Sequence, residues 1–175
     1  DATGGLAAGD KYMDEGTLYV AKFRDDGTGE WLELALGKNG ITDTYAKYAF
    51  ADQADVLIHA RLAADAAGAT KMDRPEWASI NPKTGDVYLT LTNSNKSNRA
   101  FDKTDGANPR YYNDAGNPNG HIVRLTDGGA PGATQFHWDV YLFGAPFNAP
   151  ADVNISGLTK DNDFSSPDGL WFSQA

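Results

Sequence analysis

Three turn clusters govern what this chain can fold into. Asp25-Asp26-Gly27-Thr28-Gly29, Asn81-Pro82-Lys83-Thr84-Gly85 and the stretch 127–133 (DGGAPGA) each stand between two short apolar runs. Runs of that length, closed at both ends by residues that suit tight turns, predict antiparallel strands rather than helices. Leu18, Val20 and Phe23 roughly alternate with polar or small neighbours ahead of the first cluster, and Trp31, Leu32 and Leu34 open the returning run. The second cluster joins ASINP to DVYLTLTN. The third joins GHIVRLT to TQFHWDVYLFG, and GLWF reads as a last strand. With 19 Gly and 8 Pro, the chain is cut into many brief elements.

One segment departs from this pattern. From Thr44 to Ala67 the residues Phe50, Ala54, Leu57, Ile58 and Leu62 recur at helical spacing. Asp43 is a plausible N-cap and Gly68 suits the stop. Two long polar stretches remain, Asn93–Asn119 and 145–167, and loops of such length are usually functional or disordered. The fold class expected is mainly β: part of a β-propeller of antiparallel blades with one inserted α-helix. The repeat period is not clean, so at this level a β-sandwich and a sheet that does not close alone both stay open. The 175 residues are expected to form a single segment, an incomplete piece of a larger propeller domain.

Net charge is −9 at pH 7, which argues against a nucleic-acid partner and supplies carboxylates for hard cations such as calcium. The chain has no Cys, so disulfides, thiolate metal sites and a Cys nucleophile are excluded within it. No apolar run is long enough to span a bilayer. The stretch ahead of Gly16 lacks a basic leader and an apolar core. GGLAAG and DGGAPGA are Gly-rich, but neither follows a strand and opens a helix with a Lys, so no phosphate-binding P-loop is present. DNDFSSPDG lacks the closing Glu of an EF-hand, and Ser165 and Ser166 lack a G-x-S-x-G elbow.

Charge concentrates where a strand begins. In TKMDRPEW, Lys71, Asp73, Arg74 and Glu76 crowd around Pro75. At this point the sequence resembles the PhoX-type alkaline phosphatases. The matching stretches are KYMDEGTLYVAKF with GEWLEL, ADVLIHARLAADAAGATKMDRPEW, NPKTGDVYLTLTN, ANPR, GHIVRL and FSSPDGLWF, in the family's order. The resemblance implies a β-propeller with inserted segments, hydrolysis of phosphate monoesters with calcium and iron ions (Ca2+, Fe3+), and export to the periplasm or the extracellular space. It also implies that this chain covers a central portion of the enzyme. The family's iron-site cysteine belongs upstream and further carboxylates downstream, so only part of the site is expected here.

Within that resemblance Glu76 is the leading metal-ligand candidate, against a plain surface pair with Arg74 or Lys71. Arg74 is the catalytic candidate, gripping phosphate or holding Glu76 in place. Asp73 reads equally as ligand or turn acceptor. Asp168, between Pro167 and Gly169, reads equally as an axis-facing ligand or a turn cap. Asp105, with Arg110 in the same loop, is a further metal candidate against a solvated loop. His59, His121 and His137 show no ligand spacing, and ordinary positions are expected for all three. Trp31, Trp77, Trp138 and Trp171 are expected to pack in the core. The expected function is hydrolysis of a small-molecule phosphate monoester by a monomeric exported enzyme. Two alternatives stand beside it: a non-catalytic propeller-type binding module, and another calcium-dependent propeller hydrolase such as a lactonase or phosphotriesterase.

Overall fold

The computed structural model describes residues 9, 15–95, 104–110, 116–130 and 132–173. Six strands form one sheet in the order β1-β2-β6-β5-β4-β3. They are β1 (Tyr19–Phe23), β2 (Thr28–Glu33), β3 (Pro75–Ile80), β4 (Val87–Leu91), β5 (His121–Asp127) and β6 (Gln135–Phe143). β3 to β6 are each antiparallel to the next, a four-stranded meander of the kind that makes a propeller blade. The mainly β, antiparallel expectation is met.

Two compact units divide the chain, one built from the residues up to Lys22 with Trp31–Ala69, the other from Phe23–Glu30 with the residues from Thr70 onward. In the second unit β6 shows why period two survives folding. Phe136 and Trp138 are buried while Gln135, His137 and Asp139 are exposed. Phe23 meets Phe136 and Trp138 edge-on, with both centroid distances 5.2 Å. Gly29 faces Phe136 across the β2–β6 register, and an added Cβ would collide with the Phe136 ring. That glycine is a requirement of packing.

In the first unit the core comprises Leu34, Ile41, Phe50, Val56 and Ala63, with Tyr45 and Tyr48 packed against Phe50. The expected helix over Thr44–Ala67 is two short ones, α1 (Gln53–Ile58) and α2 (Ala60–Ala67). His59 breaks them at φ −103, ψ 39, and Asp52, not Asp43, caps the first. Upstream, the chain turns: the Phe50 N–H pairs with the Thr42 carbonyl at 3.2 Å, which a helix would forbid. Leu57 and Ile58, read as core, are exposed. Gly68 ends α2 in the left-handed conformation, as expected. The Asp52 carboxylate accepts the Asp55 N–H at 2.8 Å. Asp52→Ala is expected to cost about 1 kcal/mol in urea unfolding, and Asp52→Ser to restore most of it. Equal stability of all three proteins would count against the cap.

The expected strand at GLWF does not form. Thr90 Oγ1 donates to the Asp168 carbonyl at 2.8 Å, and no strand among the described residues pairs with the segment. Trp171 is 79% exposed and Trp77 54%, so two of the four tryptophans expected in the core lie outside it. No helix among the described residues is long and apolar enough to cross a membrane.

Candidate active site

The charged stretch ahead of β3 is shaped by two backbone irregularities. Arg74 has φ 51, a left-handed conformation that costs a non-glycine residue about 1–3 kcal/mol and that concentrates at functional sites. Its N–H reaches back to the Met72 carbonyl at 2.9 Å, and its carbonyl accepts the Thr92 N–H at 3.1 Å. Immediately after it the register slips. Pro75 pairs with Leu91 and Ala78 with Leu89, so Glu76 and Trp77 together oppose the single Thr90. The Trp77 N–H is satisfied by the Thr90 hydroxyl at 3.0 Å instead of a ladder carbonyl. Glu76 and Trp77 are both exposed, as are Pro75, Ala78 and Ile80, because β3 is an edge strand of the sheet. Trp77 therefore does not anchor the strand in the core.

Arg74 and Glu76 sit 3.6 Å apart as an exposed pair. The other Arg74 nitrogen, Nη1, donates to Asn93 Oδ1 at 3.3 Å. Asp168 is exposed, and its segment reaches the bulge through the Thr90 bond to its carbonyl. Thr90, itself fully buried, thus ties the bulge to the Asp168 segment, 78 residues beyond Thr90 in sequence, two stretches that the sequence singled out separately.

Asp73 lies beneath, 3% exposed. Its N–H donates to Asn108 Oδ1 at 2.8 Å, and its carboxylate accepts from Asn117 Nδ2 at 3.2 Å. The same Asn117 amide nitrogen lies 3.1 Å from His121 Nδ1, and His121 Nε2 lies 2.7 Å from the Ala107 carbonyl. Since a carbonyl only accepts, Nε2 carries the proton and Nδ1 receives the amide. Asp105 holds the end of this arrangement: its carboxylate accepts both the backbone and side-chain N–H groups of Asn108, at 2.8 and 3.0 Å. Asn108 Nδ2 also donates to the Lys71 carbonyl at 2.6 Å. The floor under Arg74 and Glu76 is thus built by Asp73, Asn108, Asn117 and His121. Arg110 is buried, donating to the carbonyls of Gly120, Gly144 and Val153 with its guanidinium 4.4 Å over the Phe143 ring. It fastens the start of β5 to the end of β6.

Sequence reasoning passed over Asn93, Asn108, Asn117 and His121. A signal was present in Asn108-Pro109 and Asn117-Pro118, since Asn-Pro favours a turn whose amide bonds locally. What such an amide reaches across the fold is not local information. Among the described residues, no three acidic or histidine side chains converge as a metal cage. Glu76 and Asp168 carry exposed carboxylates, oxygen donors of the kind hard cations take.

An antiparallel sheet carrying a strained arginine and a bulged glutamate at the start of one strand defines the class as an antiparallel β protein. The alkaline phosphatase PhoX family matches residues 3–175. A solved structure, Pseudomonas fluorescens PhoX in complex with vanadate, a transition state analogue, is similar with a TM-score of 0.81 and 42% identity. That likeness covers 99% of this chain and 31% of the Pseudomonas protein, so the chain spans about a third of its length. No curated protein sequence matches. The chain belongs to the alkaline phosphatase PhoX family. With it comes the propeller-type fold class implied by the sequence.

Proposed function

We propose that the protein carrying this chain hydrolyses phosphate monoesters, and that this chain supplies the rim around Arg74 and Glu76 of its centre. One observation carries the reading. The strained Arg74, the bulged Glu76 and the Asp168 segment are gathered by Thr90 and Asn93 in a chain 42% identical to a PhoX captured with a transition state analogue. In this reading Arg74 grips the phosphoryl oxygens with the donors not spent on Asn93 and Glu76. Glu76 and Asp168 present carboxylates to a hard cation. Asp73 and Asp105, whose oxygens accept from Asn117 and Asn108, support the loop from below and leave the rim to Glu76 and Asp168.

The family resemblance names calcium and iron. The oxygen donors here fit calcium in part, and the chain has no thiolate to offer iron. A bound cation supplies neutralisation of the phosphoryl oxygens and an activated water. The chain's own residues orient the ester and hold its charge. The same reading makes the enzyme a monomer, exported to the periplasm or beyond.

Hydrolysis of p-nitrophenyl phosphate, followed after chelation and again after calcium is restored, is the test. Loss on chelation and recovery with calcium is expected. A folded protein inactive on the monoester under both conditions, yet active on a diester or a lactone, overturns the reading.

A further inference from the structure

Among the described residues, two of the three non-glycine residues with positive φ, Arg74 and Ser166, each at φ 51, lie 92 positions apart in segments that the sequence marked independently. The third, Asn39, is of a type that tolerates the left-handed region in turns. A single amide joins Arg74 to Ser166. Asn93 Oδ1 accepts from Arg74 Nη1 at 3.3 Å, and Asn93 Nδ2 donates to Ser166 Oγ at 3.3 Å. Ser166 Oγ in turn donates to the Pro118 carbonyl at 2.8 Å, and the Ser166 N–H donates to the Asn119 carbonyl at 2.9 Å.

The direction of this chain is forced at every step. The Pro118 carbonyl can only accept, so the one hydroxyl proton of Ser166 is committed to it. Ser166 Oγ must then accept from Asn93, which requires the amide nitrogen on that side. The amide oxygen is left facing Arg74, whose guanidinium can only donate. A flipped amide would place donor against donor at Arg74. Asn93 thus has one orientation, set by a strained residue, and it holds a second strained residue's side chain in one direction.

We propose that Asn93, oriented by Ser166, is a positioning residue that fixes the Arg74 guanidinium for an incoming phosphoryl group. The inference rests on the phosphatase reading and goes beyond it by giving a role to a residue to which the sequence analysis gave none. Arg74 is half exposed on a flexible stem, and an unheld guanidinium loses the alignment that a planar fork needs. Asn93 takes a donor on Nη1 while Glu76 lies 3.6 Å from Nη2, and the N–H groups not spent on either are the ones offered to oxygen.

A double-mutant cycle in the protein carrying this chain tests it, read as kcat/KM on p-nitrophenyl phosphate. Asn93→Ala is expected to lower kcat/KM about tenfold with Arg74 present, and less than about twofold in the Arg74→Ala background, because it acts through Arg74. Asn93→Asp supplies a second readout. Its carboxylate would hold the guanidinium more tightly and repel an anion, so the Kd for inorganic phosphate should rise about tenfold, with a modest fall in Tm because its second oxygen cannot donate to Ser166 Oγ. Equal losses in both arginine backgrounds, or a lower Tm with unchanged phosphate affinity in Asn93→Asp, would make Asn93 a packing residue and overturn the proposal. An inactive Arg74→Ala beside a fully active Asn93→Ala would overturn it while the phosphatase reading stands. A wild-type protein inert to monoesters would overturn both.

Discussion

Glu76→Gln in the protein carrying this chain is expected to lower the rate on p-nitrophenyl phosphate by about a hundred- to a thousandfold, the scale of losing one charge-stabilising group. Stability should hardly change. Glu76 is exposed on a bulge, and it pairs with Arg74 at 3.6 Å, an exposed ion pair worth about 0–1 kcal/mol. The backbone feature that presents it, the Thr90 hydroxyl on the Trp77 N–H, does not involve the Glu76 side chain. Gln keeps the shape and removes the charge, so the variant separates chemistry from folding. Steady-state kinetics beside a urea melt measures both. Full activity in Glu76→Gln would remove Glu76 from the centre. A large fall in stability would show the carboxylate to be structural.

The second large effect falls on stability. Arg110→Ala is expected to destabilise the fold by about 3–5 kcal/mol, the cost of stripping a buried, hydrogen-bonded charge from its acceptors. The Gly144 and Val153 carbonyls would each lose the Arg110 donor, the Gly120 carbonyl would keep only the Gly144 N–H at 3.1 Å, and the Phe143 ring would lose the guanidinium over it. Arg110→Lys should recover only part, because an ammonium cannot span several carbonyls as a planar guanidinium does. Urea unfolding of the three proteins reads the result. A midpoint unchanged in Arg110→Ala would mean that the strand ends are held by other contacts. The expectation runs opposite to the sequence impression of ANPR as a solvated loop, and burial is what reverses it.

Much of the fold is legible in short-range pattern. The turn clusters at Gly27, Gly85 and 127–133 separate β1 from β2, β3 from β4 and β5 from β6. Each depends on residues adjacent in sequence, where backbone preference is local. The helical segment is legible only in part. Its apolar spacing points to one long helix, but Phe50 belongs to a turn and His59 interrupts the rest. Periodicity counts apolar positions without knowing which of them tertiary contacts will use. GLWF fails for the same reason, since a strand exists only where a partner strand is offered.

The site divides along the same line. Sequence alone determined the identities gathered at Arg74, Glu76 and Asp168, the left-handed glycine ending α2, the absence of thiol chemistry and the acidic balance. These follow from residue type and from neighbours a few positions away. Only the tertiary structure decided that Asp73 lies buried under the rim while Glu76 stands out on a bulge. It also decided that Arg110 clamps strand ends, and that Asn93 and Thr90 join the Arg74 stretch to the segment around Ser166 and Asp168. Those outcomes hang on hydrogen bonds between groups 10 to 78 residues apart. A side chain's donors and acceptors are written in its name, but their partners are chosen by which strands the sheet sets side by side.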